Sequence, residues 1–145
     1  MKLLLVTAVV AWLLIGGSVS AQTVPSATLQ EILIKTSLLT LSDAVLTGNY
    51  TVLHGKLSKP FRDQFRAERL RQVFKTFEDQ KADFGIVAAL PPIGTGETKI
   101  ADGKLMLRGY FDTKPSRLAY ELDYVLSEGE WKLLNINVRA RPPGS

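Results

Sequence analysis

The chain has 145 residues, 46% of them hydrophobic and 22% charged, with no cysteine and a formal net charge of +4 at pH 7. These values exclude a disordered tail, a collagen-like fibre and a disulfide scaffold, and describe one ordinary globular domain. Thiol redox chemistry and thiolate metal sites are closed to a chain without cysteine.

Met1 and Lys2 give a positive start, Leu3 to Ile15 is an apolar run, and Gly16 to Ala21 ends in small residues, with Val19 and Ala21 at the positions a signal peptidase reads. The pattern predicts a secretory signal peptide over residues 1–21, cleaved after Ala21, and export to the periplasm or the extracellular space. A helix crossing a bilayer needs about 20 apolar residues, more than this run supplies; retention as an uncleaved anchor is the alternative. The lack of cysteine excludes lipid attachment at the cleavage region. The mature chain is predicted to be a single domain over 22–139 with a flexible tail over 140–145. Without Lys2, 17 of the 18 basic residues remain against the 14 acidic ones, a net charge of +3. Asn49-Tyr50-Thr51 is a glycosylation sequon that only a eukaryotic host would use.

Thr28 and Glu31 have capping-box spacing, and Leu29, Ile32, Leu33, Leu39, Ala44 and Leu46 recur at helical intervals up to Gly48, which predicts a helix over 28–47. Asn49 can cap a short second helix ending near Gly55. Pro60, preceded by Ser58, opens a segment whose apolar residues Phe61, Phe65, Leu70, Val73, Phe74 and Phe77 predict one or two helices up to about Gln80. Residues 83–90 form a transition, and Pro91 to Gly96 is loop chemistry.

From Glu97 the period changes to two. Turn signals at Asp102-Gly103, Thr113 to Ser116 and Ser127 to Glu130 divide the remainder into four strands of an antiparallel meander. Pairing Asp112 with Arg117 puts Leu105, Leu107, Gly109 and Phe111 on the same side as Leu118, Tyr120, Leu122 and Tyr124, with Tyr120 opposite Gly109. On the other face the register forecasts a ladder of Glu97, Arg108 and Glu121. In the last strand Leu134, Ile136 and Val138 disagree in parity with Trp131 and Leu133, which asks for a bulge at Gly129 or near Leu133.

Helices followed by an antiparallel sheet indicate an α+β fold with the helices packed on one face. The helix, Gly48-Asn49-Tyr50, the basic amphipathic segment, Asp102 to Phe111, and Leu118 to Val138 with Gly129-Glu130-Trp131-Lys132-Leu133 together resemble the nuclear transport factor 2-like superfamily over about residues 28–139. The resemblance implies a curved, cone-like sheet around an apolar pocket and dimerisation through the sheet. Its functions would range from ketosteroid isomerase-like enzymes and polyketide cyclases to binding modules without catalysis. Fold alone leaves that choice open.

An enzyme in such a cone needs an acid or base facing the pocket. The predicted register turns Asp112, Glu121 and Asp123 outward, leaving Asp43 and Asp83 as the least badly placed carboxylates; Asp43 reads as a solvated late-helix position and Asp83 as a loop or cap residue. His54 is the one histidine, so a multi-histidine metal site is excluded, and beside Gly55 it reads as a helix-end residue. Gly94-Thr95-Gly96 lacks the further glycines and lysine of a phosphate loop. No catalytic residue, metal or cofactor is assigned. Tyr120 and Tyr124, with Tyr50 or Phe61 closing the site, are the candidates for binding a small apolar ligand with one polar group, against the alternative that they simply fill the core. Residues 56–75 carry Lys56, Lys59, Arg62, Arg66, Arg69, Arg71 and Lys75 against Asp63 and Glu68. Arg62, Arg66 and Arg69 follow i, i+4, i+7 spacing and are the candidates for contact with an acidic protein partner or an anionic envelope surface; export from the cytoplasm and the want of interleaved exposed aromatics argue against nucleic acid. The reading is an exported non-catalytic module that binds a small ligand or a protein or envelope partner, with a small cone-type enzyme as the alternative.

Overall fold

In a computed structural model, which describes residues 22–142 and 144, helix α1 runs Ala27–Thr47. The predicted signal segment lies outside the described residues. Ser26, not Thr28, caps α1: its side chain accepts from the Leu29 N–H at 3.3 Å. Thr28 and Glu31 fall inside the helix instead, and Glu31 pairs with Lys35 one turn on at 2.7 Å. Gly48 ends the helix with φ of 69°, a left-handed conformation that costs glycine nothing. The buried stripe is Ile34, Leu38, Leu41 and Val45, whereas Leu29, Ile32 and Leu46 are exposed.

Asn49 Oδ1 accepts from the Thr51 N–H at 3.0 Å and starts α2, Thr51–Gly55. The basic segment then folds as three short helices rather than one or two: α3 Lys59–Gln64, with Pro60 in its first turn, α4 Ala67–Val73 and α5 Lys75–Asp79. The break falls at Phe65 and Arg66, both in extended conformation, where the Phe65 ring stacks on Phe61 at 4.6 Å. Residues Gly85–Ala89 form a 3-10 turn tied to α1 by the Phe84 N–H, which donates to Ser42 Oγ at 2.9 Å.

The sheet has five antiparallel strands: β1 Ile93–Gly94, β2 Lys99–Ala101, β3 Lys104–Phe111, β4 Arg117–Ser127 and β5 Glu130–Arg141. β1 and β2 share one edge of β3, and β3, β4 and β5 are joined as a meander. The tight turns at Asp102-Gly103 and Glu128-Gly129 have positive φ at both central residues, the geometry that matches strand twist in two-residue hairpins. The β3–β4 register is the expected one, with Gly109 opposite Tyr120, and Leu105, Leu107, Phe111, Leu118, Leu122 and Tyr124 buried beside them. In β5 the register breaks between the partners of Asp123 and Tyr124, leaving Leu134 as the extra residue, so Leu133 and Val138 both reach the core. At this bulge the α2–α3 connection joins the sheet: the Ser58 N–H donates to the Leu133 carbonyl at 2.7 Å, and the Leu133 N–H to the Lys56 carbonyl at 3.1 Å.

Four expectations change. The sheet is not strongly curled into a cone; strong curvature is built with repeated bulges and kinks, and the long strands carry one register break. Glu97 lies outside any strand, because Ile93–Gly94 takes the upper edge of β3 and the chain loops out before β2. Arg108 does stand opposite Glu121, but its guanidinium bonds Asp123 at 2.7 Å while Glu121 pairs with Arg139 at 2.6 Å, so the ladder runs diagonally. Finally, Ala140 and Arg141 belong to β5, paired with Leu118 and Arg117, and not to a tail.

Tyr120 lies across Gly109, where a Cβ would collide with its hydroxyl and with the Ile93 carbonyl oxygen. Gly109→Ala should therefore cost about 1–3 kcal/mol in denaturant unfolding, the usual scale of overpacking, while Gly94→Ala, with open space at its Cβ, leaves the midpoint nearly unchanged. Equal midpoints for the two variants would sink this account of the register.

Candidate functional site

The four aromatic candidates occupy different places. Tyr50 is buried against Phe74, rings parallel and 6.4 Å apart, with its hydroxyl donating to Glu78 Oε2 at 3.4 Å. Glu78 is in turn gripped by Arg71 at 2.6 Å, which holds its carboxyl below the ordinary range. Phe61 is half-buried against Phe65 in the helical layer. Tyr124 is buried under α1, its hydroxyl donating to the Leu33 carbonyl at 3.0 Å and touching Ser37 Oγ at 2.8 Å. These three are thus satisfied within the fold, which is the core-filling alternative.

Tyr120 differs. It is 2% exposed, yet its hydroxyl has no hydrogen-bond partner among the described residues. It lines a depression of about 230 Å3 between the start of α1, the loop at Pro91 and Pro92, and strand β3. Gln30, Glu31 and Ile34 supply the helical wall, and Leu107 with Tyr120 the floor. Thr98 Oγ1 donates to Gln30 Oε1 at 3.2 Å, tying the loop to the helix at the rim. Tyr124 is four residues further along the same face of β4, about 13 Å away at the usual rise per residue, and lines a separate depression with Ser37 and Trp131. Tyr50 lines a third with Arg71. The structure therefore does not bring the four candidates together.

The carboxylates agree with the sequence reading. Asp43 is exposed on α1, and Asp83 acts as a cap, accepting from the Gly85 N–H at 2.8 Å. Glu121 and Asp123 sit on the outer sheet face in ion pairs with arginines. His54 Nε2 is 3.4 Å from the Arg62 carbonyl oxygen at the helical surface. Among the described residues, no group of three or more histidines or acids could hold a metal ion.

The basic stripe is broken up. Arg62 belongs to α3, Arg66 and Arg69 to the start of α4, so their i, i+4, i+7 spacing does not describe one helix. Arg62 turns back to donate to the Leu57 carbonyl at 2.8 Å, and Arg69 donates to Gln72 at 2.9 Å. Two features escaped the sequence reading. One is the rim formed by Pro91, Pro92 and Thr98, brought to α1 by the unexpected strand β1. The other is a cluster of arginines on the outer sheet face, Arg108, Arg117, Arg139 and Arg141, whose signal was their outward parity once the β5 bulge is placed.

Compared with protein-family models, with curated proteins and with solved structures, the chain matches none.

Burial pushes the Tyr50 and Tyr120 hydroxyls up to about 12, and that of Tyr124 further. Their ordinary value is about 10, so above that pH the unfolded chain releases protons that the folded chain retains. Stability should thus be undiminished by these groups below pH about 10 and fall as pH rises through about 12. Tyrosinate absorbance and circular dichroism, recorded together, should change in one cooperative step; early ionisation of all tyrosines with the fold intact would contradict the placement.

Proposed function

We propose that the protein is an exported, non-catalytic binding module of the nuclear transport factor 2-like kind, taking a small ligand with an apolar body and one hydrogen-bonding group beneath the loop at Pro91 and Pro92. The observation that carries this reading is Tyr120, a residue 2% exposed whose hydroxyl has no hydrogen-bond partner among the described residues and opens onto the floor of the depression. A ligand group that displaces water from this hydroxyl and accepts its hydrogen bond would gain a directional contact at the edge of an apolar floor. Leu107 and Ile34 offer the ligand body apolar surface, and Gln30 and Thr98 fix the rim. At about 230 Å3 the depression is smaller than the roughly 300–1,000 Å3 of drug-sized sites, so the ligand is small.

The order of elements, helices laid on one face of an antiparallel sheet, supports the family likeness; the apolar run at the N-terminus supports export. An acid–base enzyme is the weaker reading. The carboxylate lining the depression is Glu31, which is 46% exposed and already paired with Lys35. General-base chemistry favours a carboxylate withdrawn from water and free to reach the substrate, and Glu31 is neither.

Acetophenone and ethylbenzene, titrated into the protein and followed by NMR, form the test. Both should perturb Leu107 and Ile34. Acetophenone should bind about fivefold less well to Tyr120→Phe, the worth of one hydrogen bond, with ethylbenzene unaffected. Perturbation centred on Tyr124, or an equal loss for both probes, would overturn the assignment.

A further inference from the structure

We propose that the outer face of the sheet is a binding site for a phosphomonoester, held over Ala119 by Arg117 and Arg141. On that face the outward residues of β4 are Arg117, Ala119 and Glu121, and their partners on β5 are Arg141, Arg139 and Asn137. The neighbour of Ala119 on β3 is Tyr110. Ala119 is thus a methyl-sized floor among long side chains, and a concavity of about 120 Å3 opens above it.

The arginines around this floor are not equally engaged. Arg108 donates to Asp123 at 2.7 Å and also to the Leu107 and Leu122 carbonyls, and Arg139 donates to Glu121 at 2.6 Å. Arg117 lies over the Tyr110 ring, 4.5 Å from its centroid, and only its Nε reaches a carboxylate, at 3.4 Å from an Asp112 oxygen shared with Lys114. Arg141 has no ion-pair partner among the described residues, and its cross-strand neighbour is Arg117. Like charges directly opposite in a sheet destabilise it. An anion between the two guanidinium groups turns that repulsion into two attractions.

The chemistry of the anion is set by the donors. Two forks, each able to make parallel hydrogen bonds, face one small space. A carboxylate has two oxygens and one charge, enough for one fork. A phosphomonoester has three free oxygens and a charge near −2 at pH 7, enough for both. The concavity accepts one such group, with Tyr110 beside it as a surface for whatever body the phosphate carries, and this shape suits a small molecule rather than a flat lipid surface.

The experiment titrates phenyl phosphate into the full chain at low ionic strength, followed by NMR of backbone amides and arginine side chains. Saturable binding is expected, with shifts centred on Ala119 and Arg141. Affinity should fall about tenfold in Arg117→Gln and in Arg141→Gln, the scale of a lost charge-assisted pair, and stay unchanged in Lys99→Gln, an exposed position on β2. Arg141→Gln also relieves the like-charge pair, so its melting temperature should equal or exceed that of the parent, which separates loss of binding from loss of fold. Benzoate should bind at least about tenfold more weakly than phenyl phosphate, and phosphate binding should tighten as pH rises through about 6, where the second proton leaves. The proposal is overturned by absence of saturable binding, by equal weakening in Lys99→Gln, by benzoate matching phenyl phosphate, or by binding only to phosphatidic acid vesicles.

Discussion

The crossing of Tyr120 over Gly109 sets the rest of the sheet. A ring can lie flat against the neighbouring strand only where that strand has no side chain, and the space at Gly109 is bounded by Tyr120 and by the Ile93 carbonyl oxygen together. Once this pair is fixed, the period of two places Leu105, Leu107, Phe111, Leu118, Leu122 and Tyr124 inside. A slip of one residue would send all of them to water and bury Arg108, Glu121 and Asp123 instead. The register is therefore decided by the whole face, and Gly109 is where the face admits one shape.

This constraint explains why the central strands were legible in the sequence and the helical layer was less so. Alternation over 104–126 is long and consistent, and the turn residues Asp102-Gly103 and Glu128-Gly129 adopt the positive φ that such pairs favour. The phenylalanines of the basic segment also recur at helical spacing, but spacing does not reveal where a helix breaks. Phe65 leaves the helical conformation while its N–H still bonds the Phe61 carbonyl, and the next residues restart as α4. Stacking of Phe61 on Phe65 is a tertiary gain that local propensity does not register. The same holds for the cap of α1, where Ser26 and Thr28 are both good capping residues and only the packed helix tells them apart. The bulge in β5 was visible as a parity conflict, and its place was settled by the α2–α3 connection, which bonds to Leu133 on the outer edge.

The candidate site was legible in part for a related reason. Sequence parity identifies which tyrosines face inward, but not which hydroxyls find partners. Tyr124 is answered by Ser37 and the Leu33 carbonyl on α1, and Tyr50 by Glu78, both across long stretches of chain. Tyr120 faces a depression between the start of α1, the loop at Pro91 and Pro92, and β3, and its hydroxyl has no partner among the described residues. The depression thus marks where α1 leaves part of the sheet face uncovered. A sheet that is not strongly curled cannot close over the helix end to fill the gap.

Successive residues of β4 point to opposite faces, so Ala119 and Tyr120 place the two depressions back to back. On the inner side the apolar face excludes ionised groups, because a charge without a partner there would carry a desolvation penalty of several kcal/mol. On the outer side the same strands carry Arg108, Arg117, Glu121 and Asp123, where water and cross-strand partners offset that cost. Among the side chains of the sheet, charge is therefore sorted by the pleat: uncharged groups on the inner face, guanidinium groups on the outer. The carboxylate at the inner depression, Glu31, comes from α1 and not from the sheet, and the β4 acids Glu121 and Asp123 are both bound to arginines on the far side. The division that stabilises the sheet thus gives its two faces different chemistry, an apolar wall bearing tyrosine hydroxyls inside and guanidinium groups outside.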